Sequence, residues 1–447
     1  MKTKKFFFYL CCAATLTFST ACSSGDSSSQ DPIQEDPIKP DNPDDKNNGG
    51  GDGGETAELT VAEQQAKLDN TARELLQQIS ASDFDEVRNL ANYFRSHYTG
   101  SNYNTDAIGN WWQGCVEDIT TVVSDTRTST YYTDYERLWA ASNFTGHFQA
   151  TADKWVYAPA SDLQFSFTDA SGANCVARLT TSGNTYRVHH SKFDSENADW
   201  NYDGDNWYKY VKTYRNVVVV PENLNIVFTK GGTEILSATM HTTISTGADI
   251  DLAFDSYNIA LTTKVGVYEV VVSKANLSQG KTASASVVMN KNGTRLFNAA
   301  VNATGHINTD NQVERIDNCA FSADVLGKVQ VKGECQNGSQ LINNIKKART
   351  SNEAESKARV EQANSLLNAA LYFDGNNNRS STLKLIAIED ETYYGYSEWR
   401  AQPAIAFSDG TIYAFGDFFT RDRFRTVINM FTDLVDDFKG IIESVKN

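Results

Sequence analysis

The densest chemical pattern in the chain is Asp199-Trp200-Asn201-Tyr202-Asp203-Gly204-Asp205. Asp199, Asn201, Asp203 and Asp205 put oxygen donors at alternate positions, and Gly204 sits between the last two. This is the first half of a calcium loop, where alternate side chains turn inward and a glycine allows the sharp bend. Tyr210 stands where such loops carry their closing bidentate acid. Asp, Asn and Gly also make ordinary polar turns. The segment therefore reads either as a calcium site or as a plain loop.

The same stretch is aromatic, with Trp200, Tyr202, Trp207 and Tyr208. Sugars pack their C–H faces on aromatic rings, while amides and carboxylates take the hydroxyls, so this composition suits a glycan platform. Trp111 and Trp112, beside Asn110 and Gln113, make a second such spot. The alternative for each ring is packing into a core or over a sheet end. Other chemistry is sparse. There is no HExxH, GxSxG or GxGxxG. His241 and His306 fall on the polar positions of expected strands, and become neighbours only if those strands pair. Adjacent His189 and His190 point to opposite faces of a strand.

The elements that position these residues follow from periodicity. Thr60 and Glu63 form a capping box ahead of Leu68, Ala72, Leu75, Leu76 and Ile79. Ser82 or Asp83 caps a second helix bearing Phe84, Val87, Leu90, Ala91 and Phe94. Cys115, Ile119, Val122 and Val123, then Tyr135, Leu138 and Trp139, extend the helical reading to about residue 141. From there the period becomes two, as in residues 234–246, 282–290 and 294–307. Lys291-Asn292-Gly293, Lys230-Gly231-Gly232 and Ser182-Gly183-Asn184 read as turns. Later come a helix through Val360, Ala363, Leu367, Ala370 and Leu371, two strand pairs (Leu383–Ile388 with Tyr393–Trp399, Pro403–Phe407 with Thr411–Phe415), and a final helix from Phe424 to Ile442. The fold class expected is α+β: a large antiparallel sheet of long strands, covered on one face by N-terminal and C-terminal helices.

Lys2, Lys4 and Lys5 precede an apolar run from Phe6 to about Phe18, then Ser19, Thr20, Ala21 and Cys22. This is the pattern of an export signal. A cysteine after small residues, followed by Ser23, Ser24, Gly25 and Asp26, resembles a bacterial lipoprotein signal. That resemblance implies cleavage before Cys22 and acylation of its sulfur, although the chain has Ser19 where the family usually has leucine. Residues 23–57 hold nine acidic residues against Lys39 and Lys46, with Ser, Pro and Gly throughout and no apolar repeat. They read as an extended stalk. Signal and stalk together are similar to the surface lipoproteins of Bacteroidota, which implies an outer-membrane protein held in the lipid bilayer by Cys22. Cleavage after Ala21 without lipid is the alternative.

The expected organisation is a signal at 1–21, lipidated Cys22 and stalk at 22–57, a helical region at 58–142, the sheet at 143–336, and a C-terminal helix, hairpins and final helix at 337–447. Cys115, Cys175, Cys319 and Cys335 are the cysteines of the folded part. They allow three disulfide pairings, of which Cys319 with Cys335 across a hairpin is the simplest, or they are four buried thiols. The net charge of −16 argues against a nucleic-acid partner. Three functions fit: a non-catalytic ligand-binding module with a glycan favoured, an envelope carrier of an apolar ligand resembling half-barrel lipoprotein carriers, or a glycan hydrolase with dispersed carboxylates. Cys22→Ala is expected to move the protein from the membrane fraction to the soluble fraction; retention on membranes would contradict lipidation at Cys22.

Overall fold

The Thr60–Glu63 capping box forms reciprocally. The Thr60 amide donates to Glu63 Oε2 at 2.7 Å and the Glu63 amide donates to Thr60 Oγ1 at 3.3 Å. It starts the helix α1 (Val61–Gln78), whose Leu68, Ala72, Leu75 and Leu76 are buried at helical spacing. The structure is a computed structural model that describes residues 59–430, apart from 100–102, 117–119, 128–129, 141–142, 190–194, 204–205, 245–246, 248, 252–254, 278–280, 308–312, 376–378, 392–396 and 421–423.

After α1 come a 3₁₀ turn (Ala81–Phe84), α2 (Asp85–Tyr98) and α3 (Asp106–Val116). Strands β1 (Thr120–Arg127), β2 (Thr130–Ala140), β3 (Gly146–Ala150), β4 (Trp155–Ala158), β5 (Leu163–Thr168), β6 (Asn174–His189), β7 (Ser195–Asp203) and β8 (Asn206–Lys230) follow. Next are β9 (Thr233–Ile244), β10 (Asp249–Asp251), β11 (Tyr257–Val265), β12 (Tyr268–Leu277), β13 (Thr282–Lys291), β14 (Thr294–Ile307), β15 (Val313–Val325) and β16 (Val329–Gln336). The chain continues through α4 (Gly338–Lys347), α5 (Glu353–Asn364), β17 (Leu367–Phe373), β18 (Ser381–Glu391), β19 (Ser397–Phe407), β20 (Ile412–Ala414), α6 (Phe415–Phe418) and a helical segment at 425–430. The fold is α+β, with a large, mostly antiparallel sheet and a few helices. The described residues divide into two compact units. One holds the chain up to Ser80, Arg295–Thr304 and the chain from Arg315; the other holds Ala81–Thr294 and the end of β14 from Gly305.

The second unit is organised around β8, which has 25 residues. Its first half pairs antiparallel with β7 and parallel with β2; its second half pairs antiparallel with β6 and β9. The Ser182-Gly183-Asn184 turn expected from sequence is instead a bulge in β6, opposite Pro221 and Glu222 of β8. Gly183 has φ +81°, and a Cβ there would lie 2.7 Å from the Glu222 carboxylate. That carboxylate accepts the Asn184 amide at 3.1 Å, so the extra residues are held within the sheet rather than reversing the chain. Turns at Gly231-Gly232 and Asn292-Gly293 form as expected, with positive φ at all four residues. Helices α2 and α3 bury Leu90, Tyr98, Phe148, Trp155, Phe167 and Cys175 with the sheet. Asp83 does not cap α2. Its carboxylate accepts from the Tyr268 hydroxyl at 2.5 Å and pairs with Lys291 at 2.8 Å.

The helical reading of 115–141 is corrected beyond Val116. Residues 120–140 form the hairpin β1/β2, because Tyr135, Leu138 and Trp139 belong to a strand that finds its partner at Tyr214–Val218 of β8. Leu367, Ala370 and Leu371 are likewise strand residues. The Asn364 side chain ends α5 by accepting the Leu385 amide and donating to the Leu385 carbonyl, both at 2.8 Å, and β17 then pairs with β16. Of the two late strand pairs expected, Pro403–Phe407 with Thr411–Phe415 forms as β19 with β20, Ile405 opposite Tyr413, while Leu383–Ile388 pairs further along the same long strand β19, with Leu383 opposite Ile405 and Ile388 opposite Arg400. The final helix starts as expected at Phe424 to Ile428, and its later apolar residues lie outside the described residues.

In the first unit, Ala323, Val331 and Leu371 occupy one row across β15, β16 and β17. With Leu383 and Ile405 they meet Leu68 and Ala72 of α1 and Phe415 and Phe419 from the C-terminal side. Val427 joins Ala72 and Leu76. The space left under α1 is about 50 Å³. Gly333 faces Phe321 across the β15/β16 pair, and the Phe321 ring occupies the space a Cβ at 333 would need. Gly333→Ala is therefore expected to cost about 1–3 kcal/mol in urea unfolding, with measurable coupling to Phe321→Ala in a double-mutant cycle.

Candidate functional site

The β7/β8 hairpin carries the aromatic residues singled out from sequence. Asp203 pairs with Asn206, Tyr202 with Trp207, Asn201 with Tyr208, Trp200 with Lys209, and Asp199 with Tyr210. Trp200 and Trp207 are 64 % and 67 % exposed. They occupy diagonal positions of one antiparallel pair, on the same face, about 7–8 Å apart at the backbone and within reach of each other's rings. Lys209, opposite Trp200, completes that face.

The expected calcium loop has a different backbone. Asp199, Asn201 and Asp203 are alternate residues of an extended strand, and Gly204 and Asp205 lie outside the described residues. Among the described residues no group of three or more His, Cys, Asp and Glu is placed to hold a metal.

The second aromatic spot divides. Trp111 is part of the core: its indole N–H donates to the Thr145 carbonyl at 2.8 Å, and its ring packs edge-on against Phe148 at 5.4 Å. Trp112 is 49 % exposed and stacks on Phe144 with an interplanar angle of 7°. The histidines do not meet, since β9 is flanked by β8 and β11 and not by the strand of His306. His241 instead bonds Asn223 across the pair at 2.8 Å.

All four described cysteines are thiols. Cys319 and Cys335 face each other directly in the β15/β16 register. The sulfur–sulfur hydrogen bond, with burial, pushes the Cys335 thiol well up from its ordinary range. Cys115 and Cys175 donate to the carbonyls of Asn143 and Ala173.

A second surface was not legible as a site, because it needs the parallel β2/β8 pairing. Tyr135 stacks on Tyr214 at 5.3 Å, and the Arg137 guanidinium lies 4.3 Å from the Tyr214 ring centre. Thr133 Oγ1 and the Tyr210 hydroxyl are 2.8 Å apart, and Trp139 is 36 % exposed. The alternation Thr133, Tyr135, Arg137, Trp139 was the available signal.

The neighbouring positions lock those strands. Glu136 is buried between Arg215, its register partner on β8, and Arg187 of β6. Arg187 also lies 3.9 Å from Asp249, which pairs with His189 at 2.9 Å. Burial raises the Glu136 pKa, but the hydrogen bonds from Arg215 and Arg187 outweigh it and hold the carboxyl below its usual range. A depressed acid stabilises the fold above its ordinary pKa and stops doing so as pH falls through the folded value. Glu136→Gln is thus expected to cost about 3 kcal/mol at pH 7, and the difference from the parent is expected to shrink below about pH 4, measured by denaturant titration across pH.

No protein-family model matches this chain, and no curated protein or solved structure is similar to it.

Proposed function

We propose that this protein is a lipid-anchored cell-envelope module that binds a glycan without catalysis, using Trp200 and Trp207 as the contact surface. The single observation that carries this reading is that both indoles are about two-thirds exposed on one face of a paired hairpin. Exposed rings of this size bring a hydrophobic penalty that a ligand's apolar face relieves, and the strand pairing fixes their spacing before the ligand arrives. Lys209 beside Trp200 supplies a polar donor at the edge of the surface. Cys22 and the acidic stalk would hold this surface away from the membrane.

The carrier reading is less well supported. A ligand pocket typically encloses 300–1,000 Å³, and the apolar space under α1 is about 50 Å³. The test is binding to an array of neutral and acidic oligosaccharides, followed by titration with the strongest. Trp200→Ala and Trp207→Ala are each expected to weaken binding about fivefold, equivalent to about 1 kcal/mol, with unfolding unchanged to within about 0.5 kcal/mol. Undiminished binding by the double variant would overturn the assignment of the site.

A further inference from the structure

The face of the β15–β17 sheet away from α1 carries a concavity of about 400 Å³, within the size range of small-ligand sites. Ala300 and Ala320 leave its floor open. Ala320, Glu334 and Asn368 stand in one cross-strand row, and Ser322 and Lys332 in the next. Tyr372 and Arg379 rise at the side, and Asn302 of β14 lines the opposite part.

The polar groups here are partly committed to each other in one direction. The Arg379 guanidinium donates to Asn368 Oδ1, and Asn368 Nδ2 donates to Glu334 Oε1 at 2.9 Å. Glu334 is thereby occupied through the amide. Among the described residues neither Lys332 nor Arg379 has a carboxylate within ion-pair distance, and the Lys332 ammonium lies 5.0 Å from the Tyr372 ring centre. With Glu334 also in the lining, Lys332 and Arg379 leave this concavity one positive charge in excess, in a chain of net charge −16. They favour an anion. Asn302, Asn368 and Ser322 add neutral donors and acceptors, and Tyr372 adds a ring face.

We propose that this concavity binds a carboxylate-bearing sugar of the uronic-acid type. Lys332 and Arg379 take the carboxylate, the amides and Ser322 take hydroxyls, and Tyr372 packs against the sugar ring. The site lies in the first unit and is independent of the Trp200/Trp207 reading.

The test is isothermal titration of the full-length protein with digalacturonate, with neutral digalactose and inorganic phosphate as separate arms. Digalacturonate is expected to bind, more weakly as salt rises. Lys332→Gln and Arg379→Gln are each expected to reduce affinity about tenfold, and Tyr372→Ala is expected to reduce it severalfold, with unchanged circular dichroism. The Trp200→Ala, Trp207→Ala double variant should bind digalacturonate normally, which separates this site from the first. Absence of digalacturonate binding, or equal affinity in the Lys332→Gln, Arg379→Gln double variant, would overturn the proposal. Phosphate binding as tightly as digalacturonate would show a plain anion site and overturn the sugar assignment.

Discussion

Backbone pairing along both edges of β8 is the constraint on which the second unit depends. A strand of 25 residues spans about 80 Å, and β8 is paired with β7, β2, β6 and β9 in turn along that length. A one-residue slip would invert every side chain in the ladder and bury the charges of Lys212 or expose Val211 and Val217, which are fully buried. Register is therefore held at many points at once. The same register places Trp207 and Lys209 at alternate positions with Val211, and puts Tyr210, Lys212 and Tyr214 on the other face. The Glu136–Arg215 pair strengthens this where β2 runs parallel, the geometry that lacks a hairpin to fix its register.

The first unit solves a different problem. One face of its sheet is apolar and needs cover, which α1 and the C-terminal segment provide through Leu68, Ala72, Phe415 and Phe419. The other face has small residues on the floor and long polar side chains around them. Alternation along β15 and β16 assigns neighbouring residues to these two roles: Ala323 and Val331 to the core, Ser322 and Lys332 to the open face. The close fit of Phe321 over Gly333 shows how tightly the pair is set between them.

Local chemistry was legible where it is complete within a few residues. The Thr60–Glu63 box and the Gly231-Gly232 and Asn292-Gly293 turns need only their own residues. The errors share a cause. Tyr135, Leu138 and Trp139 have helical spacing, but their strand is decided by Tyr214–Val218, more than seventy residues away. Leu367, Ala370 and Leu371 continue the apolar rhythm of α5, yet Asn364 ends that helix by bonding to Leu385. Gly183 looks like a turn until Glu222 is placed against it.

The sequence by itself determined the α+β class, the start of α1, the Gly231-Gly232 and Asn292-Gly293 turns and the concentration of aromatic residues between Trp200 and Trp207, because each depends on residue type and short-range periodicity. Only the tertiary structure decided which rings face solvent and which serve the core: Trp111 is tied to Thr145 while Trp112, Trp200 and Trp207 are exposed. It alone brought Lys332, Asn368 and Arg379 around one concavity, since they lie on separate strands and a connection whose pairing no local pattern encodes. Exposure and convergence are properties of packing between distant segments, and a linear reading has no term for them.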